Sequence, residues 1–348
     1  MNFTLWFHTI LLLTQEEHLA TCAGLSTMKS RVRDQLANIA GEVCLQNSSV
    51  AISFLPGAGG NISAITDLRT GRNWLWQNPH LPITNNRSGE NYGQSLDSGG
   101  WDEILLSIAT SEIEATNSTR VEIADHGDLV RQSWTAEIQS DTNGNQRCRM
   151  TAGGATLNYD FVRMVRLQSD APIITFDYSL TNNEAFEWPF YWCPHALLDA
   201  QSGMTIELPP DLPFHLDGAE VPAIERWPRL PVEGRPSLDL SNSFAADGEV
   251  FAHKVFARSP SDGTVSVVAP GTNERLTMTF DPDVLPWLGL WINNRGWSGC
   301  GSEPHQNLGL EPSTTNYDCV AEAVRNDAID WIQPGETRAW TLTVELTA

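Results

Sequence analysis

The stretch "ITFDYSL", residues 174–180, decides the fold: Ile174, Phe176, Tyr178 and Leu180 alternate with Thr175, Asp177 and Ser179. Successive side chains of an extended strand point to opposite faces, so a period of two predicts a strand with one apolar face and one polar face. The same alternation returns at Leu276, Met278 and Phe280, and again at Trp340, Leu342, Val344 and Leu346 after the turn Pro334-Gly335-Glu336. From Val50 onward the apolar runs are short and broken by Gly, Pro, Asn and Asp. Thr70-Gly71, between "ITDLR" and "RNWLW", reads as a hairpin turn. Many strands separated by turn signals specify an all-β protein, a large antiparallel β-sandwich with few short helices.

No internal repeat, low-complexity tract or linker divides this pattern, so residues 46–348 read as one β domain. Residues 1–45 read as an N-terminal extension, partly helical or disordered; Val32, Leu36 and Ile39 give Met28–Ala40 a helical spacing. Pro209–Pro236 is proline-rich with little periodicity, the mark of a long surface loop or an edge insertion. Tyr317–Asn326 reads as a short helix.

The net charge of −22 argues against nucleic acid or an anionic membrane as a partner, because both require clustered Lys and Arg. Thirteen tryptophans in a chain with only 18% charged residues serve mainly as core, while two or three are expected to line a site. An indole stacks on the C–H face of a sugar and still offers an N–H donor. The six cysteines are far apart and form no CxxC pair, so neither a zinc site nor a dense disulfide framework is indicated. Leu5–Thr14 is apolar, but no basic residue precedes it and Gln15-Glu16-Glu17 follows, unlike a secretion signal. A cytoplasmic protein is expected, with secretion as the alternative.

"LGLEPSTTNYD", residues 308–318, places Glu311 between a small apolar run and Pro312. Partial desolvation raises the basicity of such a carboxylate, which makes it a candidate general base; the alternative is a strand-end acid paired with an Arg. His195, in "WCPHALLDAQSG", has a similarly apolar setting, and its structural alternative is a satisfied core histidine. These segments, with "GGNISAITDLRTGRNWLW", "GGWDE" and "DHGDLVRQSW", resemble the aldose 1-epimerase, or galactose mutarotase-like, family from about Val50 to the C-terminus.

That resemblance implies a supersandwich fold, no cofactor and no metal, and a hexose or related aldose as partner. It implies Glu311 as the base, His195 as the acid, and His126 as a donor to the ring oxygen or a neighbouring hydroxyl. Arg131, Asp102, Glu103, Arg72 and Trp297 are the further substrate-binding candidates, with Arg87 as another possible hydroxyl donor. For "SGGWDEILLSI" the alternative is a β-bulge with a buried Trp and solvated acids. Arg131 stands five residues after His126, a longer interval than in the hexose-6-phosphate branch, so a phosphosugar is not implied. The chain also lacks the "HSYFN"-like and "LHGG" segments of the better-known galactose mutarotases, which marks it as a divergent branch.

Two other functions fit the sequence. One is a non-catalytic carbohydrate-binding protein on the same sandwich. The other is a glycosidase- or lyase-related protein, which needs Asp102, Glu103 or Asp318 as a second carboxylate within about 5–10 Å of Glu311. The expected assembly is a monomer or weak homodimer.

Overall fold

The computed structural model describes residues 41–348, apart from 86, 88, 90, 115–118, 218–223, 246–247 and 302. The helix expected over Met28–Ala40 lies outside the described residues. Val43–Gln46 already pairs with Val50–Leu55, so the sheet begins at the close of the expected extension.

Two antiparallel sheets, one of 13 strands and one of eight, form the two layers. Ile173–Asn182 lies near the middle of the smaller sheet, between Tyr159–Leu167 and Thr337–Thr347. Its burial alternates along its length, with Ile174, Phe176, Tyr178 and Leu180 inward, as the period of two requires. Trp340, Leu342, Val344 and Leu346 continue the same inner face on the neighbouring strand.

Five strands of the larger sheet matter for function: β1 (Trp101–Leu105), β2 (Trp192–Asp199), β3 (Phe251–Arg258), β4 (Trp287–Asn294) and β5 (Gln306–Ser313). Their spatial order is β1-β2-β5-β4-β3. One face of these strands packs on the smaller sheet: Trp101 meets Phe176 at 4.9 Å between ring centres, and Trp192 meets Tyr178 at 4.8 Å. Between the layers Arg163 and Glu103 form an ion pair at 2.9 Å with neither side chain exposed.

Pro209–Pro236 proves to be an edge insertion built from strands rather than a loop. Pro213–Leu216, Glu225–Arg226, Arg229–Val232 and Arg235–Asp239 extend the larger sheet beyond β3. These strands are two to five residues long, too short to display a period in the sequence. The expected helix near the C-terminus covers Val320–Arg325. Cys148, Cys193, Cys300 and Cys319 are free thiols. No helix among the described residues is long and apolar enough to cross a membrane.

Candidate active site

Strand register lines up the chemistry on the face of the larger sheet that points away from the other layer. His195 on β2 lies directly opposite Asp102 on β1. Ala196 pairs with Leu310, which sets His195 beside Glu311 one step further on. Glu311 on β5 faces Gly289 on β4, and Gly289 faces Phe256 on β3. One row across five strands therefore reads Asp102, His195, Glu311, Gly289, Phe256.

Glu311 is 1% exposed and His195 is 9% exposed, and His195 Nδ1 lies 2.9 Å from Glu311 Oε1. Lys254 Nζ donates to the other oxygen, Oε2. The Lys254 ammonium also pairs with Asp318 Oδ1 at 3.4 Å. Burial alone would raise the Glu311 carboxyl, as the sequence suggested, but Lys254 and His195 override it and hold the group down at about 2, so it is ionised and less basic than a free carboxylate, the reverse of that expectation. Burial alone would lower the His195 imidazole, yet the Glu311 carboxylate raises it above its ordinary range. Asp318 is pushed up to about 7, chiefly by burial, with Asp217 and Glu311 adding to the push against Lys254.

Glycines make the room. The side chains of Glu311 and Trp291 each need space on this face, and each faces a glycine across the strand pair: Gly289 opposite Glu311, Gly309 opposite Trp291. A Cβ at Gly309 would lie 2.7 Å from Glu311 Oε1, and one at Gly289 would lie 3.2 Å from Lys254 Cε. A glycine inside a strand marks a close approach of this kind.

His126 follows the strand Arg120–Ile123 in a turn where it takes a left-handed φ of 61°, an uncommon conformation for a residue with a Cβ. Its ring centre is 5.2 Å from that of His195, and it stacks on Tyr92 at 3.8 Å. Burial, outweighing the help of Asp125, lowers the imidazole to about 4, so it is neutral near pH 7. Asp125 Oδ1 lies 2.8 Å from His126 Nδ1, and its carboxyl is held below the usual range by His126 and Tyr92 despite burial. With Asp125 ionised, Nδ1 carries the proton and Nε2 keeps a lone pair. In this state the free Nε2 is a hydrogen-bond acceptor, not the donor that the family resemblance implied.

The remaining candidates divide by position. Asp102 is at the site but fully engaged: Arg87 binds both its oxygens, at 2.7 and 2.9 Å, Tyr92 Oη donates at 2.6 Å, and Asn61 Nδ2 donates at 2.8 Å. It anchors Tyr92 beneath the two histidines. Arg87, a candidate hydroxyl donor with a surface position as the alternative, is instead buried in this pair. Glu103 is not at the site, because the alternation of β1 turns it inward to Arg163, Tyr178 and Trp192. Arg72 is also elsewhere, bound to Glu274 at 2.9 Å and to Gln201 at 3.0 Å. Arg131 stays beside the His126 turn, donating to the Gly127 and Gly89 carbonyls. Trp297, 38% exposed, packs edge-on against Trp291 at 5.7 Å.

Lys254, Tyr92, Asp125 and Asp97 were not read from the sequence. Asp97 is buried close to His195, and burial pushes its carboxyl up to about 6 against the pull of His195. Among the described residues no group of three or more His, Cys, Asp or Glu is placed to hold a metal ion.

No protein-family profile matches the sequence, and no curated relative matches it. Solved structures do match. A galactose mutarotase-like protein from Clostridium acetobutylicum superposes with a TM-score of 0.62 at 12% identity, covering 88% of this chain and 95% of that one. The fold is that of the galactose mutarotase-like proteins. A galactose mutarotase related enzyme from Lactobacillus acidophilus gives 0.59 at 11% identity over 88% of this chain and 97% of its own. A Klebsiella pneumoniae protein whose name includes the words aldose 1-epimerase gives 0.62 at 15% identity, over 85% and 76% of the two chains.

Proposed function

We propose that this protein is an aldose 1-epimerase-type isomerase that interconverts the anomers of a hexose or related aldose. The observation that carries the reading is the 2.9 Å contact between His195 Nδ1 and Glu311 Oε1, with the imidazole raised and the carboxyl lowered. Opening a cyclic hemiacetal needs an ionised base at the anomeric hydroxyl and a protonated acid at the ring oxygen. Those two oxygens sit on one carbon, so the base and acid must be neighbours.

Glu311 takes the proton from O1, and the O–H electron pair becomes the C1=O1 π bond. The C1–O5 bond breaks, and its electron pair takes a proton from Nε2 of the His195 imidazolium. His195 keeps its Nδ1–H on Glu311 throughout. Rotation about C1–C2 offers the opposite carbonyl face. The reversed transfers then close the ring and return both groups to their starting states. His126, neutral and accepting, holds a substrate hydroxyl alongside. A second carboxylate for glycoside hydrolysis would have to be Asp318, which shares the Lys254 ammonium with Glu311, rather than Asp102 or Glu103. Asp102 is locked by Arg87, and Glu103 faces the other layer.

The test is polarimetry of freshly dissolved α-glucose, α-galactose and a wider aldose panel with wild type, Glu311→Gln and His195→Asn. Wild type should speed the approach to anomeric equilibrium, and each variant should lose about 10²–10⁴ of that rate while still binding sugar. A wild type that binds sugar but leaves every rate unchanged would identify a carbohydrate-binding protein instead.

A further inference from the structure

Lys254 lies on β3, two strands away from Glu311. It spans β4 over Gly289, where any Cβ would sit 3.2 Å from Lys254 Cε and crowd it. The side chain is 9% exposed and its ammonium touches Glu311 Oε2 and, at 3.4 Å, Asp318 Oδ1. A flexible, strongly hydrated cation drawn into so closed a position has a task beyond filling space.

The task follows from the pair beside it. A carboxylate and an imidazolium in hydrogen-bond contact, both shielded from water, tend to exchange the proton and become neutral, because burial penalises every charge. That exchange leaves the base protonated and the acid spent. A fixed cation decides the outcome through distance. Lys254 binds the carboxylate oxygen directly, while the imidazole sits on the opposite oxygen and is repelled more weakly.

We propose that Lys254 is a positioning residue that keeps the proton on His195 and off Glu311, and so sets the resting state from which ring opening starts. The other groups facing Glu311 fit this assignment. From β2 come His195 and the buried Cys193 thiol, and from the turn before it the Tyr191 phenol. His126 faces it from its own turn as a neutral ring, and Asp318 binds Lys254, with Asp217 within electrostatic reach of Asp318. None of these but Lys254 puts a second cation on the carboxylate. Asp318 shares the ammonium and thereby fixes where Nζ sits.

The inference rests on the ring-opening reading, so its test includes a measurement that needs no turnover. Glutamate Cδ carbons are labelled with ¹³C in wild type, Lys254→Met and Lys254→Arg, and the Glu311 signal is assigned by its loss in Glu311→Gln. In wild type and Lys254→Arg the Glu311 carbon should stay in its ionised position throughout pH 4–8. In Lys254→Met it should titrate at least about one pH unit higher. The acid limb of the mutarotation rate should move up with it, with kcat falling more than KM changes. Thermal melts show whether Lys254→Met is folded, and Gly289→Ala, which crowds Lys254 Cε, supplies a second perturbation in the same direction. The titration is followed down to pH 2, and a folded Lys254→Met protein whose Glu311 carbon titrates where that of wild type does overturns the assignment. A shifted Glu311 titration in a protein without mutarotase activity overturns the reaction and leaves the proton placement standing.

Discussion

The depressed Glu311 carboxyl should be measurable as stability. A fall from the ordinary 4.5 to about 2 corresponds to about 3 kcal/mol at neutral pH, taking ~1.4 kcal/mol for each pH unit. Glu311 is 1% exposed, so solvent does not screen this away. A carboxyl depressed in the folded state stabilises above its unfolded value and loses that contribution as pH falls toward its folded value. Between pH 6 and pH 3 the loss comes to about 2 kcal/mol. His195 acts in the opposite direction. Its raised imidazole stabilises below the ordinary 6.5, and that part disappears as pH rises through the folded value.

The comparison uses Asp318→Asn as the background, because the Asp318 carboxyl, pushed up to about 7, titrates in the same window. Urea unfolding of Asp318→Asn and of Glu311→Gln in that background is followed by tryptophan fluorescence from pH 3 to pH 8. Every other acid titrates in both proteins and cancels in the difference. The difference should be largest near pH 5–6, fall by about 2 kcal/mol toward pH 3, and fall again above the His195 transition. Two curves that stay parallel within about 0.5 kcal/mol across the range would refute the charge assignment.

Two further expectations concern the parts that hold the site in place. Arg163→Met leaves the fully buried Glu103 with only Tyr178 and Trp192 as donors and should cost about 3–5 kcal/mol in urea unfolding; Arg163→Met with Glu103→Leu should recover most of it, and a double variant no better than the single would show that the loss is packing rather than the stranded charge. Gly127→Ala puts a Cβ 1.9 Å from the Leu105 carbonyl oxygen at a φ of 66°, so it should cost about 2 kcal/mol or more and slow mutarotation by displacing His126, read by melts and polarimetry together.

The sequence displayed the sandwich clearly because one face of each core strand is buried and the other is not. Ile173–Asn182 and Thr337–Thr347 alternate for that reason, and their pairing follows the pattern. β1, β2 and β5 do not alternate, since both of their faces are covered, and there the reading lost the direction of side chains. Asp102 and Glu103 are adjacent and alike in the sequence, yet one supports the site and the other ties the two sheets together. Glu311 and His195 stood out as polar residues inside apolar runs. Lys254 carried no such mark in "FAHKVFAR", where three basic residues look like an ordinary solvated face. The available signal was indirect: "WLGLW" and "NLGLEP" each place a glycine in the middle of a strand, where something must approach closely.

That signal points to how the site is built. His195, Lys254 and Glu311 come from three different strands, each more than fifty residues from the next along the chain. What brings them together is register. Because side chains change face at every residue, slipping β5 by one position against β2 and β4 would turn Glu311 into the core and put Leu310 beside His195. The strand pairing that builds the sandwich therefore also fixes Glu311 against His195, and Gly289 against Glu311. A Cβ at 289 would press at 3.2–3.3 Å on Lys254 Cε, the Phe256 ring and the Glu311 carbonyl oxygen, so this glycine serves the path of the ammonium and the packing of the strand pair together.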